Sequence, residues 1–270
     1  MRVAIIQLGY DDDEPADARV ERVAQLVREQ AGHDLVVLPE LWHPTGFDYH
    51  RWAALAEPVD GRLVHSMARA ARAAGVVLHA GSWIETNGAG PDGRGLWNTS
   101  MVFGPGGDLL ATYRKVHRFG FGKGEPVLLE AGTDIVTVDL PRPVSAPEGP
   151  SVTTGLATCY DLRFPEQFRL LLDAGASLVL VPAAWPAARI GHWQLLGRAR
   201  AVENQSFVVQ CNTAGTHAGI EMGGRSQVVD PWGAVLAEGG PDQEVLSVEL
   251  DVDSVAATRE RFPVLADRRL

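Results

Sequence analysis

Two short stretches of this 270-residue chain, Leu35-Val-Val-Leu38 and Leu178-Val-Leu-Val181, are apolar at every position. A strand with one wet face alternates apolar and polar side chains, so an unbroken run belongs to a strand covered on both faces. Helices or a second sheet must therefore lie over these segments. Runs rich in Val, Ile and Leu fall at 3–8, 35–39, 76–84, 98–104, 109–113, 135–139, 152–158, 178–182, 207–211, 226–230, 234–237 and 245–250. Between them, apolar spacing of helical period predicts helices over 15–30, 61–74, 164–174 and 190–203. Strands interleaved with helices give an α/β fold. Gly104-Pro-Gly-Gly-Asp108 and Asp230-Pro-Trp-Gly233 read as hairpin turns, so the sheets mix parallel and antiparallel pairs. No repeat or linker divides the sequence. The Pro- and Gly-rich stretch 141–150 is short enough for a surface loop, and a single domain over 1–270 is expected.

Charge and cysteine usage narrow the function. A formal net charge of −10 argues against a general nucleic-acid or anionic-membrane partner, either of which would be repelled. The first apolar run meets Asp11, Asp12, Asp13 and Glu14 too soon for a signal peptide or membrane span, and a cytoplasmic protein with reduced thiols is expected. Two cysteines cannot build a disulfide framework or a four-thiolate zinc site. Gly120, Gly122 and Gly124 lack dinucleotide-loop spacing, and Glu125 behind them would repel a phosphate. No metal or organic cofactor is expected. Among 24 basic residues only Lys115 and Lys123 are lysines. Where arginine serves as the ordinary surface cation, a retained lysine points to a need for a compact ammonium.

Cys159 ends a buried run and stands just before Pro165 and Glu166, both marks of a helix start. Helix-end N–H groups there can stabilise a thiolate, which makes Cys159 a candidate nucleophile; the alternative is an inert buried thiol. Cys211, inside an apolar run, reads as core. A thiol nucleophile needs a base. Of eight histidines only His117 and His192 have suggestive neighbours, and none lies in a thiol-protease signature. Glu40, where a buried strand exits its sheet, and Lys115, opening a Gly-rich loop, are the other candidates; as isolated residues each could be an ordinary solvated charge. Asp161, Arg163 and Glu166 are read as a structural network fixing the turn around the thiol by charge-assisted hydrogen bonds.

Taken in order, Glu40 in Leu38-Pro-Glu40, Lys115 in Arg114-Lys-Val-His117 and Cys159 in Cys159-Tyr-Asp-Leu-Arg-Phe-Pro-Glu166 resemble the three signatures of the nitrilase, or carbon–nitrogen hydrolase, superfamily. Val3-Ala-Ile-Ile-Gln7, Asn98-Thr-Ser100, Val181-Pro-Ala-Ala184, Arg198-Ala-Arg-Ala-Val-Glu-Asn-Gln205 and Asp230-Pro-Trp-Gly233 extend the resemblance along the whole chain. It implies a four-layer α-β-β-α sandwich with mixed sheets, paired as a homodimer across a helical face. It also implies hydrolysis of a non-peptide C–N bond in a small molecule. Cys159 would form a thioester with loss of ammonia, and Glu40 would shuttle the protons. Lys115 and the backbone N–H of Tyr160 would hold the oxyanion. Family members carry a second Glu seven residues before a Gly. Glu125 precedes Gly132 by that spacing and Glu130 does not, so Glu125 takes the role of orienting Lys115 and substrate; pairing with Lys123 is its alternative.

The wording around Cys159, with Trp185-Pro-Ala-Ala-Arg189 and His192-Trp-Gln194, is similar to the bacterial omega-amidases, which act on 2-oxoglutaramate-like amides. This implies Arg189 or His192 at the distal carboxylate and Trp185 as a pocket wall, with a solvated Arg189 as the alternative. Arg118 and Gly223-Gly-Arg-Ser226 depart from common family wording and are expected to reshape the pocket. The neighbouring activities are N-carbamoyl amino-acid hydrolase, deaminated-glutathione-type amidase and nitrilase. Outside catalysis stands a silent binding or assembly module of the same fold. The stripe Ile190, Trp193, Leu196, Ala199 and Val202 suits a core-facing or a subunit-facing helix, and the charged segment 259–269 is expected to reach a partner subunit.

Overall fold

The computed structural model describes residues 1–142 and 146–269. Of the loop expected at 141–150, residues 143–145 lie outside the described residues. In the first half the elements are β1 (Arg2–Gln7), α1 (Ala16–Arg28), β2 (Leu35–Val37), α2 (Arg62–Ala74), β3 (Val77–Thr86), β4 (Leu96–Phe103), β5 (Leu109–Arg114) and a single turn, α3 (Glu125–Leu128). In the second half they are β6 (Thr137–Leu140), β7 (Val152–Leu156), α4 (Pro165–Asp173), β8 (Leu178–Pro182), α5 (Ile190–Asn204) and β9 (Phe207–Cys211). After these come the short pair β10 (Thr216–His217) and β11 (Ile220–Glu221), then β12 (Gln227–Val229), β13 (Val235–Glu238), β14 (Glu244–Glu249) and α6 (Ser254–Arg261).

Twelve of these strands form two six-stranded sheets, ordered β14-β1-β2-β3-β4-β5 and β13-β12-β9-β8-β7-β6. Each has three parallel strands at its centre, β1-β2-β3 and β7-β8-β9, with antiparallel strands on both flanks. Side chains along a strand point alternately to opposite faces. Ala4, Ile6 and Val36 therefore meet α1 and α2, while Val3, Ile5, Leu35 and Val37 pack against Leu156, Leu178, Leu180 and Val209 of the second sheet. Val179, Val181 and Val208 turn outward beneath α4 and α5. Three apolar layers separate helix, sheet, sheet and helix, which is the expected four-layer sandwich. Burial on both faces explains why the central strands carry no polar alternation.

The helices lie within about two residues of their predicted limits, because their apolar faces are strongly periodic. Val20, Val23, Ala24 and Val27 form the buried face of α1, and Gly75, at φ +69°, ends α2. Both hairpin turns form: Gly104 donates to the Asp108 carbonyl at 2.8 Å and Asp230 to that of Ala234 at 3.0 Å. Cys211 sits between the sheets.

The strand before the thiol is shorter than the apolar run: β7 stops at Leu156, and a 3-10 turn starts at Cys159, so the thiol sits in the turn between strand and helix where the sequence placed it. On α5 Trp193 and Arg200 are buried while Val202 is about half exposed, so the stripe is not core-facing along its whole length. Arg200 turns inward because its guanidinium finds the Leu162 carbonyl at 2.8 and 3.1 Å. Of the charged C-terminal segment, Arg259 and Arg261 lie in the last turn of α6, and Arg268 pairs with Asp173 at 2.7 Å.

Candidate active site

Both parallel strand trios point their carboxyl ends to one place, where an open α/β sheet leaves room for a ligand. β2 delivers Glu40, β7 the turn carrying Cys159, and β8 the backbone of Ala184. β4 and β5 supply Asn98 and, one residue past its end, Lys115. At Gly81, beneath the Glu40 turn, φ is +69° and a Cβ would stand 1.9 Å from the Pro39 carbonyl oxygen, so only glycine lets the two backbones approach.

Four of the residues singled out from sequence are brought together and buried. Glu40 Oε1 accepts from Lys115 Nζ at 2.7 Å and from Asn98 Nδ2 at 2.8 Å, and its Oε2 accepts from the Ala184 amide at 2.9 Å. Lys115 Nζ also donates to both oxygens of Glu125, at 3.0 and 2.9 Å. Asn98 Nδ2 reaches Glu125 Oε1 at 2.7 Å, and the Phe119 amide donates to Glu125 Oε2. The pairing with Lys123 is thus replaced by a buried one with Lys115. Glu130 instead caps the amides of Asp92, Arg94 and Gly95. Asn98, quoted only as part of a supporting segment, proves to be the neutral link between the two carboxylates.

Burial is the largest influence on Cys159, Lys115 and Glu125. It pushes the Cys159 thiol well up, and the Glu40 charge adds to this while Lys115 opposes it. For Lys115 burial would lower the pKa, but Glu125 and Glu40 outweigh it and the ammonium is held well above its usual range. Burial raises Glu125, against the pull of Lys115. Every neighbour of its two oxygens is nevertheless a donor, which suits the ionised form. Burial thus favours the neutral thiol at Cys159, while the paired carboxylates favour the ammonium at Lys115.

Cys159 itself has φ +49°, an uncommon backbone for a residue with a Cβ. Asp161 holds this elbow, though not through the expected Asp–Arg–Glu network. Its fully buried carboxylate accepts from the Thr158 amide at 2.8 Å, Tyr113 Oη at 2.6 Å and both the amide and Nδ1 of His117, at 3.0 and 2.8 Å. The elbow is thus tied to the segment bearing Lys115, and His117, stacked on Phe164, is part of that brace. Arg163 turns the other way, its Cζ 4.8 Å from the Trp185 ring centre. Tyr160, next after Cys159, has its N–H at the start of the 3-10 turn, where backbone donors lack partners within the turn.

A cleft opens over Cys159, with Phe47, Phe119, Tyr160 and Trp185 as aromatic walls and Arg163 and Arg189 as its two cations. Trp185 and Arg189 were expected here. His192 was not brought in: it is exposed and its Nδ1 lies 3.3 Å from Arg163. Arg163 was missed because a charge four residues from the nucleophile reads locally as scaffold. Arg118 binds Asp92 and the Leu129 carbonyl and does not line the cleft, whereas the Gly223 amide donates to the carbonyl of Trp185, a cleft wall, at 2.9 Å. Among the described residues no group of three or more His, Cys, Asp or Glu is placed to hold a metal ion, and no helix is long and apolar enough to cross a membrane.

A buried thiol beside a carboxylate and an ammonium, under an aromatic cleft in a four-layer sandwich, is equipped for acyl transfer to sulfur, and fold and site together fit a thiol-type hydrolase. The chain belongs to the carbon–nitrogen hydrolase family, whose signature matches residues 2–260. It is 45% identical over 269 residues to a 2-oxoglutaramate amidase of Paenarthrobacter nicotinovorans, covering 99% of this chain and 89% of that one. Among solved structures it resembles a CN-hydrolase superfamily protein of Xanthomonas campestris that carries an arsenic adduct in its active site, with TM-score 0.87, 29% identity, and 100% and 97% of the chains covered. An amidase from Nesterenkonia, seen with the acetamide moiety of fluoroacetamide covalently added at its active-site cysteine, matches with TM-score 0.75 and 25% identity over 100% and 97% of the chains. The protein is accordingly a carbon–nitrogen hydrolase.

Proposed function

We propose that this enzyme hydrolyses the terminal amide of a small omega-amide whose far end is a carboxylate, the 2-oxoglutaramate class, and that it does so through a Cys159 thioester. The observation that carries this reading is the pair Arg163 and Arg189 in the same cleft as Cys159. Guanidinium groups bind carboxylates in a defined orientation, and a carboxylate held there leaves the amide end free to reach the thiol. The name of the 45% identical relative supports the same substrate class.

Glu40 takes the thiol proton as sulfur attacks the amide carbon. Lys115 and the Tyr160 N–H stabilise the oxyanion, a kind of contact worth about 3–4 kcal/mol per donor in acyl transfer. Glu40 then gives its proton to the leaving nitrogen, the C–N bond breaks, and ammonia departs. Water enters, loses a proton to Glu40 and opens the thioester, which returns the acid and the free thiol. Glu125 and Asn98 keep the ammonium aimed while Glu40 changes charge. Trp185 walls the site and His192 backs Arg163. We further propose that 1–270 works as one catalytic domain, in the cytoplasm, as a homodimer.

The test is ammonia release from a panel of omega-amides, carbamoyl amino acids, deaminated glutathione and nitriles, by wild type, Cys159→Ala and Arg163→Met. Release should be strongest with carboxylate-bearing omega-amides and vanish in Cys159→Ala. In Arg163→Met the KM should rise about tenfold or more for the acidic amides and stay level for butyramide, the loss expected for one charged hydrogen bond. Release surviving Cys159→Ala would end the mechanism, and a preference for another panel class would end the substrate reading.

A further inference from the structure

The loop that follows Glu40 holds a backbone shape that its residues do not favour. Leu41 has φ +46° and Thr45 φ +72°. A β-branched residue in the left-handed region is an outlier that persists only when its surroundings over-determine it. The Leu41 amide donates to Ser82 Oγ at 3.1 Å and Trp52 Nε1 to the Thr45 carbonyl at 3.0 Å, and the Trp42–Thr45 stretch is gripped by one charged side chain, Arg19 of α1, which is fully buried. All five of its N–H groups are used. Nε donates to Glu14 Oε2 at 3.1 Å; Nη1 donates to the Trp42 carbonyl at 2.9 Å and Thr45 Oγ1 at 3.0 Å; Nη2 donates to the carbonyls of Asp11 at 3.0 Å and Glu14 at 3.2 Å. Its Cζ lies 3.8 Å above the centre of the Tyr10 ring, which in turn stacks on His217 at 3.7 Å. With every donor spent, Arg19 offers nothing to a ligand.

What the clamp controls lies two residues past Thr45, where Phe47 forms a wall of the cleft beside Cys159. Glu40, at the other end of the loop, is held separately by Lys115, Asn98 and the Ala184 amide. We propose that Arg19 is a positioning residue: by gripping Trp42 and Thr45 it seats Phe47 against the bound amide and sets substrate affinity, leaving the proton chemistry of the thiol untouched. The proposal rests on the reading of this cleft as the amide site. Lysine cannot replace the fork, since three donors on a single nitrogen cannot reach five backbone and side-chain acceptors on two segments.

Arg19→Lys and Thr45→Ala, each in the full chain, test it through three measurements. Hydrogen exchange should quicken at residues 41–47 in both variants, and at 11–14 in Arg19→Lys alone, where the contacts to Asp11 and Glu14 are also lost. The KM for the amide that wild type turns over should rise about tenfold, while kcat and the rate of Cys159 alkylation by iodoacetamide stay within about threefold, the pattern of lost binding without lost chemistry. Unchanged exchange in the loop, or quickened exchange with KM unmoved, overturns the proposal. So does a joint collapse of kcat and alkylation, which would make Arg19 a support of the fold alone. Thr45→Ala gives up a single hydrogen bond and carries the same test should Arg19→Lys fail to fold. Failure of the amidase reading would show separately, as wild type releasing no ammonia while loop exchange still decides whether the clamp exists.

Discussion

Replacing Glu125 by Gln removes one buried charge and almost no volume. The two Glu125 oxygens accept from Lys115 Nζ at 3.0 and 2.9 Å, from Asn98 Nδ2 at 2.7 Å and from the Phe119 amide. An amide has one oxygen and one NH2 group. Turned one way, the NH2 faces Asn98 and Lys115; turned the other, it faces the Phe119 amide and Lys115. Either way two donors confront a donor. Hydrogen bonds to charged groups contribute about 1.5–3 kcal/mol each, so about 3–6 kcal/mol of what fixes the ammonium is lost. Glu40 still holds Lys115 at 2.7 Å, so we assign about half of that to the transition state, a fall in kcat/KM of about 100-fold. Burial, the leading influence on Lys115, would then be opposed by Glu40 without Glu125, so the pKa of the ammonium falls and the alkaline limb of the rate profile moves to lower pH. Steady-state ammonia release gives kcat/KM, and iodoacetamide labelling of Cys159 gives a control. Alkylation displaces iodide and builds no oxyanion, so it should stay within about threefold. A loss in kcat/KM of less than about tenfold would refute the argument that Glu125 aims Lys115.

Acid should destabilise the protein through three buried histidines. Burial pushes His43 and His79 down to about 4 and His217 down to about 3, below the unfolded value of 6.5. As pH falls below 6.5 the unfolded chain binds protons first, so stability present at neutral pH is lost toward pH 4, by about 3 kcal/mol per histidine; a melting temperature that stays flat from pH 7 to 4.5 would contradict this. The homodimer is checked by light scattering, where a monomer mass across a wide concentration range would remove it; Leu170, Leu195 and Val202, exposed along α4 and α5, are the apolar side chains such a helical face would cover.

What sequence alone determined follows from periodicity and from local wording. Apolar runs at strand and helix spacing located the two strand trios and the four long helices, because backbone hydrogen bonding imposes those periods wherever a face is buried. The scarcity of lysine and the turn around Cys159 marked Lys115 and the thiol, and family wording added Glu40 and the choice of Glu125 over Glu130. One-turn elements such as α3 and the β10–β11 pair were missed, since so short a span carries no period.

Only the tertiary structure decided which charges share a space. Glu40 and Lys115 are 75 positions apart, and stacking two sheets brings them to 2.7 Å. The same packing turned Arg163 into the cleft and sent Asp161 to Tyr113 and His117 instead. It kept His192 outside and placed Asn98 between two carboxylates. Arg19, one of 22 arginines with no local mark, became the clamp on the Glu40–Phe47 loop because helix α1 happens to cross beneath it. Local sequence sets what each backbone segment is, whereas the direction and partner of a charged side chain depend on acceptors supplied by segments far away in the chain, which exist only once the sheets have stacked.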